Sequence, residues 1–213
     1  MVLNNKRVLI TAGPTWVPVD GVRVIGNIAT GETGILLAEK LAGLGATVTL
    51  LLGPAQACCS KNKKIRLIRF TFFDELEKIF TGELRSKKYD LVIHAAAVAD
   101  YRLGKGFRHK LRSGAKKIIL TLVPTAKLVD AIKKIDASVF AVAFKFEPGA
   151  PCAKIIARAK TLLRRSGLDL VVGNTVTGGR YRAYIVSKKT VSSAIRSKGQ
   201  LAKMLIGKIR EGV

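Results

Sequence analysis

What this sequence has least of is negative charge. Its 213 residues carry 14 acidic side chains against 38 lysines and arginines, a formal net charge of +24. A field of that sign suits an anionic partner, either nucleic acid or a phosphorylated small molecule, with a merely solvated basic surface as the alternative. The basic residues are spread along the chain, with short clusters at 61–69, 85–88, 105–117 and 158–165 and no polybasic tail. Aromatic residues are 6% of the total, too sparse for an obvious base-stacking platform, and no nucleic-acid-binding module is visible. The three cysteines, Cys58, Cys59 and Cys152, include an adjacent pair, which argues against a disulfide framework and for a reducing compartment. With two histidines, His94 and His109, and no C-x-x-C, a structural zinc site is not expected. No apolar run reaches the roughly 18 residues that span a bilayer. The N-terminal MVLNNKR runs directly into a strand-like segment without a signal-peptide pattern. The expectation is a cytoplasmic protein with no membrane partner.

Apolar residues, by contrast, make up 48% of the chain, enough for a globular core and for one domain over 1–213. RVLITAG (7–13), ATVTLLLGP (46–54) and YDLVIHAAAVAD (89–100) read as buried strands, and IRLIRF (65–70) as a half-exposed one. GILLAEKLAGLG (34–45) has apolar residues at helical spacing and a closing glycine, and FDELEKIFTGELRSKK (73–88) reads as a helix. A Gly- and Lys-rich loop at 103–117 precedes a strand at 118–124, a helix from 125 to 135, and the strand SVFAVAFKFE (138–147). A helix over 151–166, LDLVVGN (168–174), a hairpin at YRAYIVSKK (181–189) and a helix over 197–211 complete the chain. This alternation predicts an α/β fold, a Rossmann-like three-layer αβα arrangement whose sheet is mostly parallel with a C-terminal antiparallel hairpin.

In open parallel sheets the ligand sits beyond the carboxyl ends of the strands. The first such end carries Gly13, Pro14, Thr15, Asn27, Gly31 and Gly34. Free backbone N–H groups before a helix can hold phosphate or carboxylate, or the glycines can simply let a long loop turn. Their spacing is not G-x-G-x-x-G, and Leu51, Leu52 and Gly53 stand where a ribose-binding acid belongs, so an NAD(P)-dependent reductase is disfavoured. At AAAVADYR (95–102) the alanines allow close approach of backbone to a ligand, and Asp100 is a ligand acceptor or a cap. HKLRSG (109–114), with Lys105, Arg108, Lys110 and Arg112, fits a phosphate lid or a solvated charge run. Lys160 and Arg164 lie four apart on one helical face, available to phosphate or to water.

Taken in order, LITAGPT (9–15), VRVIGN with a following TGxxG (22–34), GATVTLLLGP (45–54), AAAVADYR (95–102), HKLRSG (109–114), AFKFE (143–147) and LDLVVGN (168–174) resemble phosphopantothenoylcysteine synthetase. The resemblance covers nearly the whole chain. It implies a ligase of coenzyme A biosynthesis that activates 4′-phosphopantothenate with a nucleoside triphosphate and Mg2+, forming an acyl-nucleotide and pyrophosphate. The amine of L-cysteine then displaces the nucleoside monophosphate. It further implies CTP in preference to ATP, a homodimer, and no flavin in this chain; the 181–189 hairpin, with its strand edges expected to be exposed, is the candidate dimer element. A separate flavin-dependent decarboxylase would be a partner, and the chain would be a stand-alone or excised ligase.

By the same resemblance Asn27 and Lys110 are the catalytic residues. Lys110 stabilises the phosphoryl charge, and Asn27 donates to the acyl carbonyl. Nucleotide-binding residues are Gly13, His94, Ala95, Ala96, Asp100, Lys110, Ala126, Lys127, Leu128, Val129, Phe144, Lys160 and Arg164; Asn27, Thr30, Gly31 and Gly34 meet the acyl substrate. The resemblance assigns no metal ligand and leaves the role of Asn174 open. Two departures stand out. The loop reads Ala29-Thr30-Gly31-Glu32 where bacterial members commonly have Ser-Ser-Gly-Lys, and Pro124-Thr125-Ala126 replaces a Lys-Asn-Pro turn. Glu32 thus sets a negative charge near an anion site. A nicotinamide-dependent reductase and a basic nucleic-acid-binding protein are the competing readings.

Overall fold

The computed structural model describes residues 3–55, 62–86, 88–107, 109–111, 114 and 116–213. Cys58, Cys59, Arg108, Arg112 and Ser113 lie outside the described residues. In chain order the elements are β1 (Arg7–Ala12), β2 (Trp16–Pro18), β3 (Val24–Gly26), α1 (Glu32–Gly43), β4 (Thr47–Leu52), β5 (Ile65–Arg69), α2 (Phe73–Ser86), β6 (Leu91–His94), β7 (Tyr101–Leu103) and β8 (Leu122–Pro124). There follow α3 (Leu128–Ile135), β9 (Phe140–Phe146), α4 (Cys152–Arg165), β10 (Leu170–Thr177), β11 (Arg180–Val186) and α5 (Lys198–Gly212).

The main sheet has seven strands in the order β11-β10-β9-β6-β1-β4-β5. All neighbours are parallel except β10 and β11, which form an antiparallel hairpin. Parallel strands buried on both faces read as continuous apolar runs, and β1 buries every residue from Val8 to Ala12. Side chains alternate between the two faces. Val8, Ile10 and Ala12 join the core under α1 and α5, while Leu9 joins the core with α2, α3 and α4. This is the three-layer α/β arrangement that the sequence predicts.

Two segments depart from the sequence reading. The run 118–124 does not enter the main sheet. Only Leu122–Pro124 is a strand, and it pairs with β7 in a separate antiparallel ribbon. Ile118 and Ile119 are 49% and 72% exposed, so their apolar character does not mark a core strand. The first loop, in turn, contains the β2–β3 ribbon. Its turn is set by Asp20, whose Oδ1 accepts from the N–H groups of Val22 and Arg23 at 2.9 Å each. A short polar carboxylate bonding its own downstream backbone is a turn-forming device.

The C-terminal hairpin is present, formed by β10 and β11 around Gly178 and Gly179. Its outer edge is not open, however. Ala183 exchanges N–H···O bonds of 2.9 Å with Ile195 in both directions, and Ser192 N donates to Ile185 O at 2.9 Å. The segment after β11 folds back and covers the edge, a common way of blocking edge-to-edge association. The outer edge of β11 is thus covered from Ala183 to Val186, where the sequence reading expects an exposed edge for the dimer element.

Candidate active site

The carboxyl ends of β1, β6, β9 and β10 open onto a cleft of about 890 Å³, closed at one end by the N-terminus of α1. Its floor is the stretch from His94 to Asp100, held by hydroxyl groups from both sides. Thr11 Oγ1 accepts from Ala96 N at 3.2 Å, and Thr15 Oγ1 accepts from Ala99 N at 2.8 Å. Thr125 Oγ1 donates to Ala99 O at 2.6 Å. These threonines are buried, and each satisfies backbone that has left the sheet ladder. The three alanines thus present nothing larger than a methyl group to the cleft and hold a fixed path.

His94 ends β6, with Nδ1 at 2.9 Å from Thr11 Oγ1 and its ring 5.4 Å from that of Phe80. Burial lowers its pKa to about 4, so the imidazole is neutral near neutral pH. Asn27 reaches across from the first loop, and its Nδ2 donates to Ala97 O at 2.9 Å. That bond uses one of two amide hydrogens and leaves the second free. Asp100 accepts from Lys127 Nζ at 2.5 Å. Gly31 precedes α1 with φ 75 and gives it no side-chain cap, so the first N–H groups of α1 end at the cleft unpaired by a cap. Gly34 lets α1 lie against β1, since a Cβ there would sit 2.4 Å from Ala12 Cβ.

Strand alternation divides the cleft in two. On the α3–α4 side lie Lys127, Leu128, Val129, Lys145, Arg158 and Arg165. On the α1–α5 side lie Glu32, Phe146, Asn174, Tyr181 and Lys198. Lys198 pairs with Glu32, and Arg165 Nη2 lies 3.3 Å from Asp130 Oδ1. Five cations thus face two carboxylates, Glu32 and Asp100, each already bound to a lysine. Tyr181, whose hydroxyl is buried without a partner among the described residues, has its pKa raised to about 12 by burial.

Most of the site residues read from sequence meet here. Gly13, Asn27, Thr30, Gly31, Gly34, His94, Ala95, Ala96, Asp100, Ala126, Lys127, Leu128, Val129 and Phe144 all line the cleft. Lys110, Lys160 and Arg164 do not. Lys110 is exposed on the segment between β7 and β8, beside Leu111, whose N–H donates to Asp20 Oδ2 at 2.9 Å. That bond is the largest of the causes holding the Asp20 pKa down at about 2, with Val22 N, Arg23 N and the Arg23 guanidinium adding to it against burial. On α4, Ile155, Ala159 and Leu163 face the core. Lys160 and Arg164 fall on one flank of that stripe, Arg158 and Arg165 on the flank toward the cleft. Arg158, Arg165 and Lys198 were missed by the sequence reading; for the arginines the buried stripe was the available signal.

Two further placements bear on the chemistry. Tyr184, four residues before Lys188, lies in β11, buried in the α4-side core and not lining the cleft. Among the described residues no group of three His, Cys, Asp or Glu side chains could hold a metal ion, and none of the described helices is long and apolar enough to cross a membrane.

Comparisons with known proteins bear on the family and the fold. Residues 3–212 match the model of the DNA/pantothenate metabolism flavoprotein C-terminal domain. The chain is 37% identical over 174 residues to the coenzyme A biosynthesis bifunctional protein CoaBC of Thermococcus kodakarensis, an alignment covering 82% of this chain and 42% of that protein. It thus spans less than half the length of that relative. The DNA/pantothenate metabolism flavoprotein of Streptococcus pneumoniae superposes with a TM-score of 0.88 at 21% identity, over 97% of this chain and 99% of that one. A histidine mutant of Cab2 in complex with phosphopantothenate-cysteine superposes with a TM-score of 0.81 at 20% identity, over 98% and 86% of the two chains. At those identities the superpositions establish the shared fold. The match over residues 3–212 establishes more: the chain belongs to the family of DNA/pantothenate metabolism flavoprotein C-terminal domains.

Proposed function

We propose that this chain is a phosphopantothenate–cysteine ligase that works through an acyl-nucleotide. The observation that carries this reading is that Asn27 and Asp100 line one cleft together with a set of lysines and arginines. The phosphopantothenate-cysteine in the Cab2 complex supports the choice of substrates. In the first step a carboxylate oxygen of 4′-phosphopantothenate attacks the α-phosphorus of the triphosphate, and the bond to pyrophosphate breaks. Negative charge grows on the phosphoryl oxygens, and fixed cations stabilise it without having to reorganise. Arg158, Arg165 and Lys127 supply that field, and Asp100 accepts from the nucleotide once Lys127, its partner in the empty cleft, turns to the phosphates. Next, the amine of L-cysteine attacks the acyl carbon, loses a proton, and expels the nucleoside monophosphate. The free amide hydrogen of Asn27 donates to the acyl oxygen as its charge develops.

Lys110 takes part if the β7–β8 connection folds over the triphosphate, which would break the tie from Leu111 to Asp20. Mg2+ would arrive as part of the triphosphate substrate, because both cleft carboxylates are engaged with lysines. CTP is the preferred co-substrate in this reading and ATP the weaker one. A homodimer would bury the exposed Val22, Val24, Ile25 and Ile28 of the first loop, an apolar surface better suited to a second copy than the covered β11 edge. A flavin-dependent decarboxylase, on the same or another polypeptide, is the expected partner that consumes the product. The test is pyrophosphate release by purified protein supplied with 4′-phosphopantothenate, L-cysteine, Mg2+ and each triphosphate in turn. Release that depends on phosphopantothenate, with the higher kcat/KM for CTP, supports the reading. No release with any triphosphate contradicts it.

A further inference from the structure

The two helices on one face of the sheet both begin at the cleft, and each begins on a charged residue. Glu32 opens α1 and Lys198 opens α5, 166 positions later, and the two side chains are ion-paired. A carboxylate at a helix N-terminus sits well with the helix dipole, whereas a lysine there sits badly. Lys198 is nevertheless fixed at that point. Ser197 Oγ caps α5 by accepting from Gln200 N at 3.1 Å, and Gln200 Oε1 accepts from Arg196 N at 2.9 Å. The reciprocal capping holds the first turn firmly and presents Lys198 at the cleft mouth.

The pair itself is weak glue. The side chains of Lys198 and Glu32 are 41% and 53% exposed, and exposed ion pairs contribute little to stability. Such a contact is easily exchanged for a better one. A better partner is suggested by the same wall, where the Tyr181 hydroxyl is buried without a partner among the described residues and can donate to an anion. In the first turn of α1, which Gly31 leaves without a side-chain cap, the N–H groups of Thr33 and Gly34 add donors beside it, that of Glu32 being directed at Thr30 Oγ1 at 3.5 Å. Among the described residues Glu32 is the one acidic group on this wall, and it competes with any anion that enters.

We propose that Lys198 is an anion-binding residue of this cleft, that Glu32 is its positioning residue, and that Lys198 exchanges the Glu32 carboxylate for phosphate oxygens of the triphosphate tail and of the pyrophosphate product. The identity of the anion rests on the ligase reading. The exchange gives Glu32 a purpose at an anion site: it holds the lysine in place when the site is empty and recaptures it as pyrophosphate leaves. Loss of Glu32 therefore tightens pyrophosphate binding, and loss of Lys198 weakens it.

The test is calorimetric titration of inorganic pyrophosphate into the whole chain at fixed ionic strength, for the wild type, Lys198→Met, Glu32→Gln, the double variant and Lys198→Arg. The expected Kd rises about tenfold in Lys198→Met, equivalent to about 1.4 kcal/mol. It falls about fourfold in Glu32→Gln, and in the Lys198→Met background the Glu32→Gln change has an effect below about 1.5-fold. Lys198→Arg keeps the charge and stays within about twofold of wild type, which separates anion binding from damage to α5. The inference is overturned by wild-type affinity in Lys198→Met, by an equal Glu32→Gln effect in both backgrounds, or by a wild type that does not bind pyrophosphate. Binding with the expected pattern, in a protein that releases no pyrophosphate from phosphopantothenate and a triphosphate, would sink the ligase reading and leave this inference standing.

Discussion

At the scale of single residues, the site depends on groups that fix backbone and on one amide that stays half-free. Asn27 is tied by one hydrogen to Ala97 O, so replacing it by Asp removes both the tie and the free donor. Asn27→Asp is expected to keep acyl-nucleotide formation and to slow its consumption by cysteine by about 10²–10³-fold, the cost of losing one oxyanion donor. Rapid-quench analysis would show the anhydride accumulating in that variant; unchanged cysteine-dependent turnover would refute the role. His94 makes a prediction about stability. Its pKa is about 4 in the folded protein and about 6.5 when unfolded. Between those values the unfolded state binds the extra proton, so stability falls as pH drops from 6.5 towards 4 and this contribution is complete above 6.5. The full effect is on the order of 3 kcal/mol. Thermal unfolding of His94→Asn should lack the part of the decline that wild type shows between pH 6.5 and 5. The threonines that pin Ala96 and Ala99 were not legible in the sequence, because a buried hydroxyl and an exposed one look alike there. Asn27 and Asp100 were legible, since each stands in a recognisable motif, Asp100 after the buried strand β6 and Asn27 in the long loop after β1.

At the scale of elements, close approach of α1 to β1 positions the first turn of α1 at the cleft. A Cβ at Gly34 would meet Ala12 Cβ at 2.4 Å, whereas Gly82 in α2 has nothing within 4 Å of its added Cβ. Gly34→Ala should therefore destabilise by about 1–3 kcal/mol, as overpacking does. Gly82→Ala should stabilise by about 0.5–1 kcal/mol through helix propensity. Urea unfolding of the two variants checks both signs at once. The β7–β8 segment supplies a second element-scale prediction. If it closes on the triphosphate, Lys110→Ala lowers the rate of pyrophosphate release in a single turnover by at least about tenfold while leaving the melting temperature unchanged, because Lys110 is exposed. An unaltered single-turnover rate would remove Lys110 from the chemistry. Elements were legible where periodicity and burial agree. Helix α4 was found, yet its phase relative to the cleft was not: Lys160–Arg164 and Arg158–Arg165 flank the same stripe, and tertiary topology alone decides which flank faces the ligand. The apolar run at 118–124 misled for the opposite reason, as Ile118 and Ile119 stay exposed.

At the scale of the whole molecule, the sheet brings strand ends that are far apart in sequence to one rim, and a net charge of +24 favours anionic ligands over cationic ones. The fold class was readable because continuous apolar strands alternating with amphipathic helices admit few other arrangements; the covered β11 edge was not, because Ile195 and Ser192 cover it from outside the hairpin. The central claim is that the carboxylate of phosphopantothenate is converted to an anhydride with a nucleoside monophosphate. It is tested most directly by supplying 4′-phosphopantothenate labelled with 18O in its carboxylate, together with L-cysteine, Mg2+ and CTP, and measuring the mass of the released monophosphate. The account predicts one labelled oxygen in each CMP; unlabelled CMP, formed alongside the cysteine adduct, would contradict it.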